Sequence, residues 1–345
     1  MLVIKRLAWV TTRGARGLDD DEPIALAGLA RTGVAVEVVD WADPDARWSR
    51  YDRVVLRSAW DYTQRQPEFL AWLDAVDAVS ELVNPAATVR WNLDKQYLAA
   101  LAEDGVPITP TVFVRPGEAA EFPDGRFVVK PAVGAGSRDA AWYGPDERDS
   151  ATDHVARLHA AEQTVLVQPM LASVARDGEW PMVFFGGTFS HAACKRVDLP
   201  RAGAIDSLFA AEQNTTHVAT AEQITAATAA VDAVSRRLGT PTYARVDLVR
   251  DDDGRYRVLE VELVEPSLFL PFADAAAADR LAEVLVRASD GGHGSRSCSS
   301  TPRLSRQAHC STTIPSATRQ MWMNVHVTGR PAGTTSATSG IVEAR

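Results

Sequence analysis

Apolar and polar positions follow two different periods along this chain, and the first 80 residues switch between them in a regular order. "RLAWVTT", residues 6–12, is apolar and β-prone, while "DEPIALAGLARTG", residues 21–33, opens a helical period with acids and closes it at Gly33. "VAVEVVDW" and "RVVLRS" read as further strands and "QPEFLAWLDAVDAV" as a second helix. Strand, helix, strand, strand, helix predicts a small α/β layer on a parallel sheet over residues 1–84. A linker helix from Lys95 to Glu103, stopped by Gly105 and Pro107, leads into a second α/β region, and together they make a segment 85–171. Residues 172–289 read as α+β. One hairpin, "WPMVFFGGTFSHAACKR", turns at Gly186-Gly187, and another, "YARVDLVRDDDGRYRVLEVELVEP", turns at Asp253-Gly254. A helix near residues 220–239 separates them, another over 273–289 follows, and "AAEQNTTHVAT" reads as a loop.

The pattern stops after Ser289. Residues 290–345 are rich in Ser, Thr, Gly and Pro and hold six Arg against two acids, a net +4 that leaves −13 on residues 1–289. Such a segment buries too little apolar area to offset its ordering entropy, so a disordered, non-functional extension is expected there. The overall −9 argues against a nucleic-acid-binding body. No apolar run is long enough for a bilayer, and "MLVIKRLAWVTT" reads as a first strand rather than a signal peptide. Cys194, Cys298 and Cys310 lack metal-ligand spacing, and their odd number fits a reducing cytoplasm. Neither a membrane nor a nucleic acid is expected as a partner. Monomer and homodimer both stay open.

Acids break the second hairpin where a core should continue. Residues two apart share a strand face, so Arg245 lies with Asp247 and Glu260 with Glu262. A two-residue turn at Asp253-Gly254 sets Asp247 opposite Glu260 and Arg245 opposite Glu262. Opposed carboxylates about 5 Å apart repel by about 3 kcal/mol at an effective dielectric near 20. A hard cation such as Mg²⁺ relieves that repulsion; a solvated face with an ordinary ion pair is the plainer reading. Lys130 ends an apolar strand ahead of Gly134, Gly136 and Ser137, a loop whose backbone can approach phosphate, although the P-loop spacing is missing. "TVLVQPML" is a strand that stops at Gln168-Pro169 beside Met170 and Leu171, where free backbone groups suit an adenine edge. Lys195 and Arg196 end the first hairpin near Glu179.

The order of these parts resembles the ATP-grasp superfamily. The resemblance implies an ATP-grasp fold, with nucleotide between two α+β subdomains behind an N-terminal parallel α/β domain. It implies ATP with Mg²⁺ or Mn²⁺ as cofactors. Lys95 of "WNLDK" and Lys130 become phosphate lysines, Gln168, Met170 and Leu171 the adenine hinge, and Gly134, Gly136, Ser137 and Glu179 further nucleotide contacts. Asp247, Glu260 and Glu262 become metal ligands, and Arg245, Lys195 and Arg196 the stabilisers of transferring phosphoryl charge. Glu262 departs from the family, which has Asn there. "RSAWDY", "KPAVGAGS", "GEWPMVFF", "FSHAACKR" and "RVDLV…LEVELVEPSLF" are similar, over residues 1–289, to the cyclo-ligases of D-cycloserine biosynthesis, which close O-ureido-D-serine into a ring. An ADP-forming ligase for a small amino-acid-like carboxylate is thereby implied, acting through an acyl phosphate. Arg57, Ser58 and Asp61, after a parallel strand's carboxyl end, and Ser267 are the expected substrate contacts. Intermolecular carboxylate–amine coupling and nucleotide binding without turnover are the competing readings.

Overall fold

The computed structural model describes residues 4–134, 136–197, 200–201 and 212–287; the expected tail lies outside them. Strand β1 (Arg6–Thr11), helix α1 (Glu22–Thr32), strands β2 (Ala35–Asp40) and β3 (Arg53–Ser58), helix α2 (Gln66–Asp77) and strand β4 (Glu81–Val83) make the N-terminal layer. Its sheet is wholly parallel, in the order β2-β1-β3-β4. Alternation divides β1 between two cores: Leu7 and Trp9 pack with α1, while Ala8 and Val10 pack with Phe69 and Leu73 of α2. All of β3 is buried, as befits a strand covered on both faces.

Helices α3 (Ala86–Asn92) and α4 (Tyr97–Glu103) connect to the centre. There β5 (Val112–Val114), β6 (Phe127–Pro131), β7 (Ala141–Tyr143), α5 (Arg148–Ala160) and β8 (Val165–Pro169) form an antiparallel sheet, β5-β8-β6-β7, backed by α5. After α6 (Ala172–Asp177), the strands β9 (Trp180–Phe185), β10 (Thr188–Val197) and β11 (Glu212–His217), helix α7 (Ala221–Leu238), and strands β12 (Tyr243–Arg250) and β13 (Tyr256–Glu262) follow. They give a second antiparallel sheet, β11-β10-β9-β12-β13. Thr220 and Gln223 cap α7 reciprocally, and its Ala227, Ala230, Val231 and Val234 meet Met182, Phe184, Val246 and Val261 of the sheet. Helix α8 (Ala277–Val286) closes onto α1 through Leu281 and Leu285.

Three features differ from the sequence reading. Residues 212–217 form β11 rather than a loop: their polar side chains hid a strand that β10 completes at the sheet's edge. The sheet of segment 85–171 is antiparallel, so its one helix is a backing layer and not a crossover. Tyr97, Leu98 and Leu101 of α4, grouped by sequence with the central segment, share a core with β12, β13 and α7 as well as with Leu166 of the central sheet.

Candidate active site

The two antiparallel sheets face each other across a cavity of about 760 Å³. Val128, Lys130 and Gln168 line it from the central sheet; Lys195, Arg245, Asp247 and Glu260 line it from the C-terminal sheet. Period two explains the second set. Ala244, Val246 and Leu248 of β12 enter the core under α7, so Arg245 and Asp247 turn the other way.

Asp247 pairs with Glu260 and Arg245 with Glu262, as expected, yet the turn is not the expected one. Arg250 pairs with Tyr256, and Asp251 accepts from Gly254 N at 3.0 Å, with Gly254 at φ 83°. The loop is one residue longer, and an extra residue at Leu259 restores the register between Asp247–Glu260 and Leu248–Val258. Val258 and Val261, three apart, therefore both face the core, and Glu260 and Glu262 both face the cavity. The outer edge of β13 is held by side chains: Tyr97 Oη accepts from Val261 N at 2.9 Å, and Asn92 Oδ1 from Leu263 N at 2.7 Å.

Arg245 grips Asp247 through Nε (2.7 Å) and Nη2 (2.9 Å), and the same Nη2 donates to Glu262 Oε1. Lys195 Nζ lies 2.9 Å from Glu179 and 3.7 Å from Asp247. Lys130 Nζ donates to Glu260 Oε1 at 2.7 Å, with Lys95 Nζ 3.9 Å away and donating to Gly134 O at 2.9 Å. Gly178, at φ 79°, makes the Glu179–Lys195 approach feasible: a Cβ there would sit 2.7 Å from Lys195 O. Burial pushes Glu260 upward, but Lys130 and Lys95 outweigh it and hold its carboxyl far below the usual range. Glu262 goes the other way: burial, with Asp247 and Glu260 adding to it, outweighs Arg245 and raises its carboxyl. Lys195 is raised because Glu179 and Asp247 outweigh burial.

Oxygens of Asp247, Glu260 and Glu262 come within 4.8 Å of one another, a donor set that fits a hard divalent cation. Gly134, Gly136, Ser137, Gln168, Met170, Leu171, Glu179 and Ser267 line the same cavity. Gln168 turns its amide to Thr111 Oγ1, 2.9 Å away. In the hinge, Met170 N donates to Arg126 O (2.8 Å) and Leu171 O accepts from Val174. Met170 C=O and Leu171 N–H remain without a hydrogen bond among the described residues, an acceptor and a donor that match an adenine edge.

Four expected residues are placed otherwise. Arg57 is buried beneath the N-terminal sheet, donating to Pro266 O at 2.7 Å and lying 3.6 Å from Asp21, over the rings of Trp9 and Tyr243. Ser58 donates to Thr11 Oγ1, and Asp61 accepts from Trp41 Nε1 and Arg65. None of the three lines the cavity. The strand's carboxyl end does face it, but through Trp60 and Tyr62 of the following turn. Arg196 stands one residue from Lys195 on the opposite strand face; it is exposed at the rim, directed to Arg176 O. The sequence reading missed Glu265, which lines the cavity three residues past Glu262, off the period-two pattern, and accepts a hydrogen bond from Tyr62. Burial and Glu262 push its carboxyl up to about 8.

A family model for the N-terminal domain of D-cycloserine synthetase DcsG matches residues 7–84. The chain is 41% identical over 293 residues to the cycloserine biosynthesis protein DcsG of Streptomyces lavendulae, covering 81% of this chain and 97% of that one. A crystal structure of D-cycloserine synthetase DcsG superposes with a TM-score of 0.75 at 39% identity, over 81% of this chain and 98% of its own. The ATP-grasp ligase PsnB, solved with a precursor variant, Mg and ADP, shares the fold at a TM-score of 0.55 and 19% identity, over 83% and 99%. No helix among the described residues is long and apolar enough to cross a membrane.

Proposed function

The chain belongs to the D-cycloserine synthetase family of the ATP-grasp superfamily, and from that premise we propose that it closes an O-ureido-serine-like amino acid into a ring. It is an ATP-dependent ligase that joins carbon to nitrogen. The observation that carries the reading is the convergence of Lys95, Lys130, Lys195 and Arg245 with Asp247, Glu260 and Glu262 in one cavity. Cations alone suit any anion; cations interleaved with a cluster of three carboxylates suit a polyphosphate that arrives with divalent metal.

Lys95 and Lys130, meeting at Glu260, bind the polyphosphate, with Gly134, Gly136 and Ser137 beside it. Met170 C=O and Leu171 N–H orient the adenine. Asp247, Glu260 and Glu262 hold Mg²⁺ or Mn²⁺, which supplies charge neutralisation to the phosphate oxygens when bound. Arg245 and Lys195, both held charged by their acids, stabilise the negative charge that develops as the substrate carboxylate becomes an acyl phosphate. Trp60, Tyr62 and Phe269 shield that intermediate from water at the cavity's far end, where Ser267 and the substrate sit. A nitrogen of the same substrate then displaces phosphate.

The test is turnover of the purified protein with ATP, Mg²⁺ and each enantiomer of O-ureido-serine, with nucleotides separated and products weighed by mass spectrometry. ADP together with a cyclised product from one enantiomer is the expected result. AMP, a linear product coupled to a second amine, or no turnover with any amino acid would overturn ring closure.

A further inference from the structure

Among the described residues six carboxylates line the cavity, and four of them touch a protein cation: Asp247 and Glu262 meet Arg245, Glu260 meets Lys130, and Glu179 meets Lys195. Glu212 is exposed and accepts from Asn214, which leaves Glu265 as the half-buried exception. Among the described residues no Lys, Arg or His nitrogen comes within 4.0 Å of it; Lys95 and Arg57 act on it only through space, and its one side-chain partner is Tyr62. Nor does it join the metal set, whose mutually close oxygens belong to Asp247, Glu260 and Glu262.

We propose that Glu265 is the specificity-determining contact for the α-ammonium of the amino-acid substrate. The proposal deepens the ring-closing reading and rests on it. A half-buried carboxylate beside a cavity, facing no cation of its own, is complementary to one the ligand brings. The surroundings select an organic cation over a metal. Tyr62 and Trp60 present aromatic surface at this end of the cavity and are themselves buried, and Tyr62 is fixed against Phe69 with ring centroids 4.9 Å apart. The backbone on the far side is fixed too, because Pro266 O accepts from Arg57 and Ser267 O from Arg245. Glu265 is thus aimed by two anchored neighbours rather than by a mobile loop.

The placement has a chemical consequence. O-ureido-serine carries three nitrogens, the α-amine and two in the ureido group, and the oxygen-bound one closes the five-membered ring. An amine held as ammonium against a carboxylate has no lone pair to offer, so the same contact that fixes the chiral centre also keeps the α-amine from attacking a second activated molecule.

The experiment compares O-ureido-serine with its desamino analogue, in wild type and Glu265→Gln, reading KM for each organic substrate, KM for ATP and kcat. Wild type should favour the amino acid, and Glu265→Gln should raise its KM by about 100-fold, the loss expected for one partner of a buried charged pair. KM for ATP and all constants for the desamino analogue should stay within about threefold. Glu265→Asp should recover part of the discrimination. Equal losses for both substrates, or unchanged discrimination in Glu265→Gln, would overturn the proposal. Retained ATP-induced stabilisation shows the variant folded. Absence of any wild-type turnover with either compound would instead strike the ring-closing reading and, with it, this one.

Discussion

Arg57 faces Asp21 at 3.6 Å beneath the N-terminal sheet, and Arg245 grips Asp247 at 2.7 and 2.9 Å on the C-terminal one. Both pairs are buried, and both arginines reach the same short segment, Arg57 through Pro266 O and Arg245 through Ser267 O. What separates them is what the aspartate has left over. Asp21 accepts from the backbone N–H groups of Leu268 and Leu270 and does not line the cavity, so its oxygens are used up in fastening the N-terminal layer to the segment 266–270. Asp247 shares its arginine with Glu262, has Glu260 opposite and Lys195 3.7 Å away, and lines the cavity, so its charge stays within reach of a ligand. A buried arginine–carboxylate pair is structural when the chain satisfies it, and functional when its acid borders open volume.

Asp247→Asn breaks that comparison most directly. It removes a metal-facing charge while keeping shape, so ADP release should fall by at least roughly 10³-fold, about 4 kcal/mol. Melting should change little, since Glu262 still pairs with Arg245. Activity within tenfold of wild type would put Asp247 on the structural side with Asp21.

Arg57→Met is the mirror experiment. It strands Asp21 as a buried unpaired acid and frees Pro266 O, which should cost about 3 kcal/mol, the lower end for a broken buried pair because Arg57 Nε and Nη1 already lack partners. The melting temperature should drop by roughly 6–10 °C, while the fraction still folded at 20 °C keeps its KM for ATP. A variant with wild-type melting and lost nucleotide binding would return Arg57 to the site.

The contrast also explains what could be read from sequence. The metal-facing acids stood out because period two leaves little choice of face, and their pairing came out correct although the loop was misjudged: the extra loop residue and the bulge at Leu259 offset each other. Lys130 and the hinge followed from strand ends, whereas Lys95, at the start of a helix, came from the resemblance alone. Arg57 was misplaced because a strand's carboxyl end says where the backbone goes and not which core claims each side chain; here Trp9 and Tyr243 claim it. Glu265 was invisible for the opposite reason. It lies past the strand, where no period applies, and its lack of a cation is a property of three dimensions.

The finest probe of the comparison is pH, through the acid of the fastening pair. Burial, with Asp19 adding to it against Arg57 and the two backbone donors, pushes Asp21 up to about 6 from an ordinary 3.8. An acid whose folded value is raised binds more protons folded than unfolded between those values, so its contribution to stability grows as pH falls through 6 and is fully present below about 3.8. Between pH 7 and pH 5 the gain is about 1.4 kcal/mol. Other carboxylates act in the reverse sense: Asp177, held down to about 2 by Arg176 and Arg250, and Asp274, held down to about 2 by Arg280, lose their contribution as pH falls toward that value. Wild type alone therefore gives an ambiguous curve. Asp21→Asn removes one titration and leaves the rest, so the difference in unfolding free energy between the two proteins isolates it. Wild type should gain on the variant by about 1.4 kcal/mol from pH 7 to pH 5. A flat difference would mean that Arg57 and the backbone donors balance Asp21 against burial, and the distinction between fastening and reacting pairs would then rest on the cavity alone.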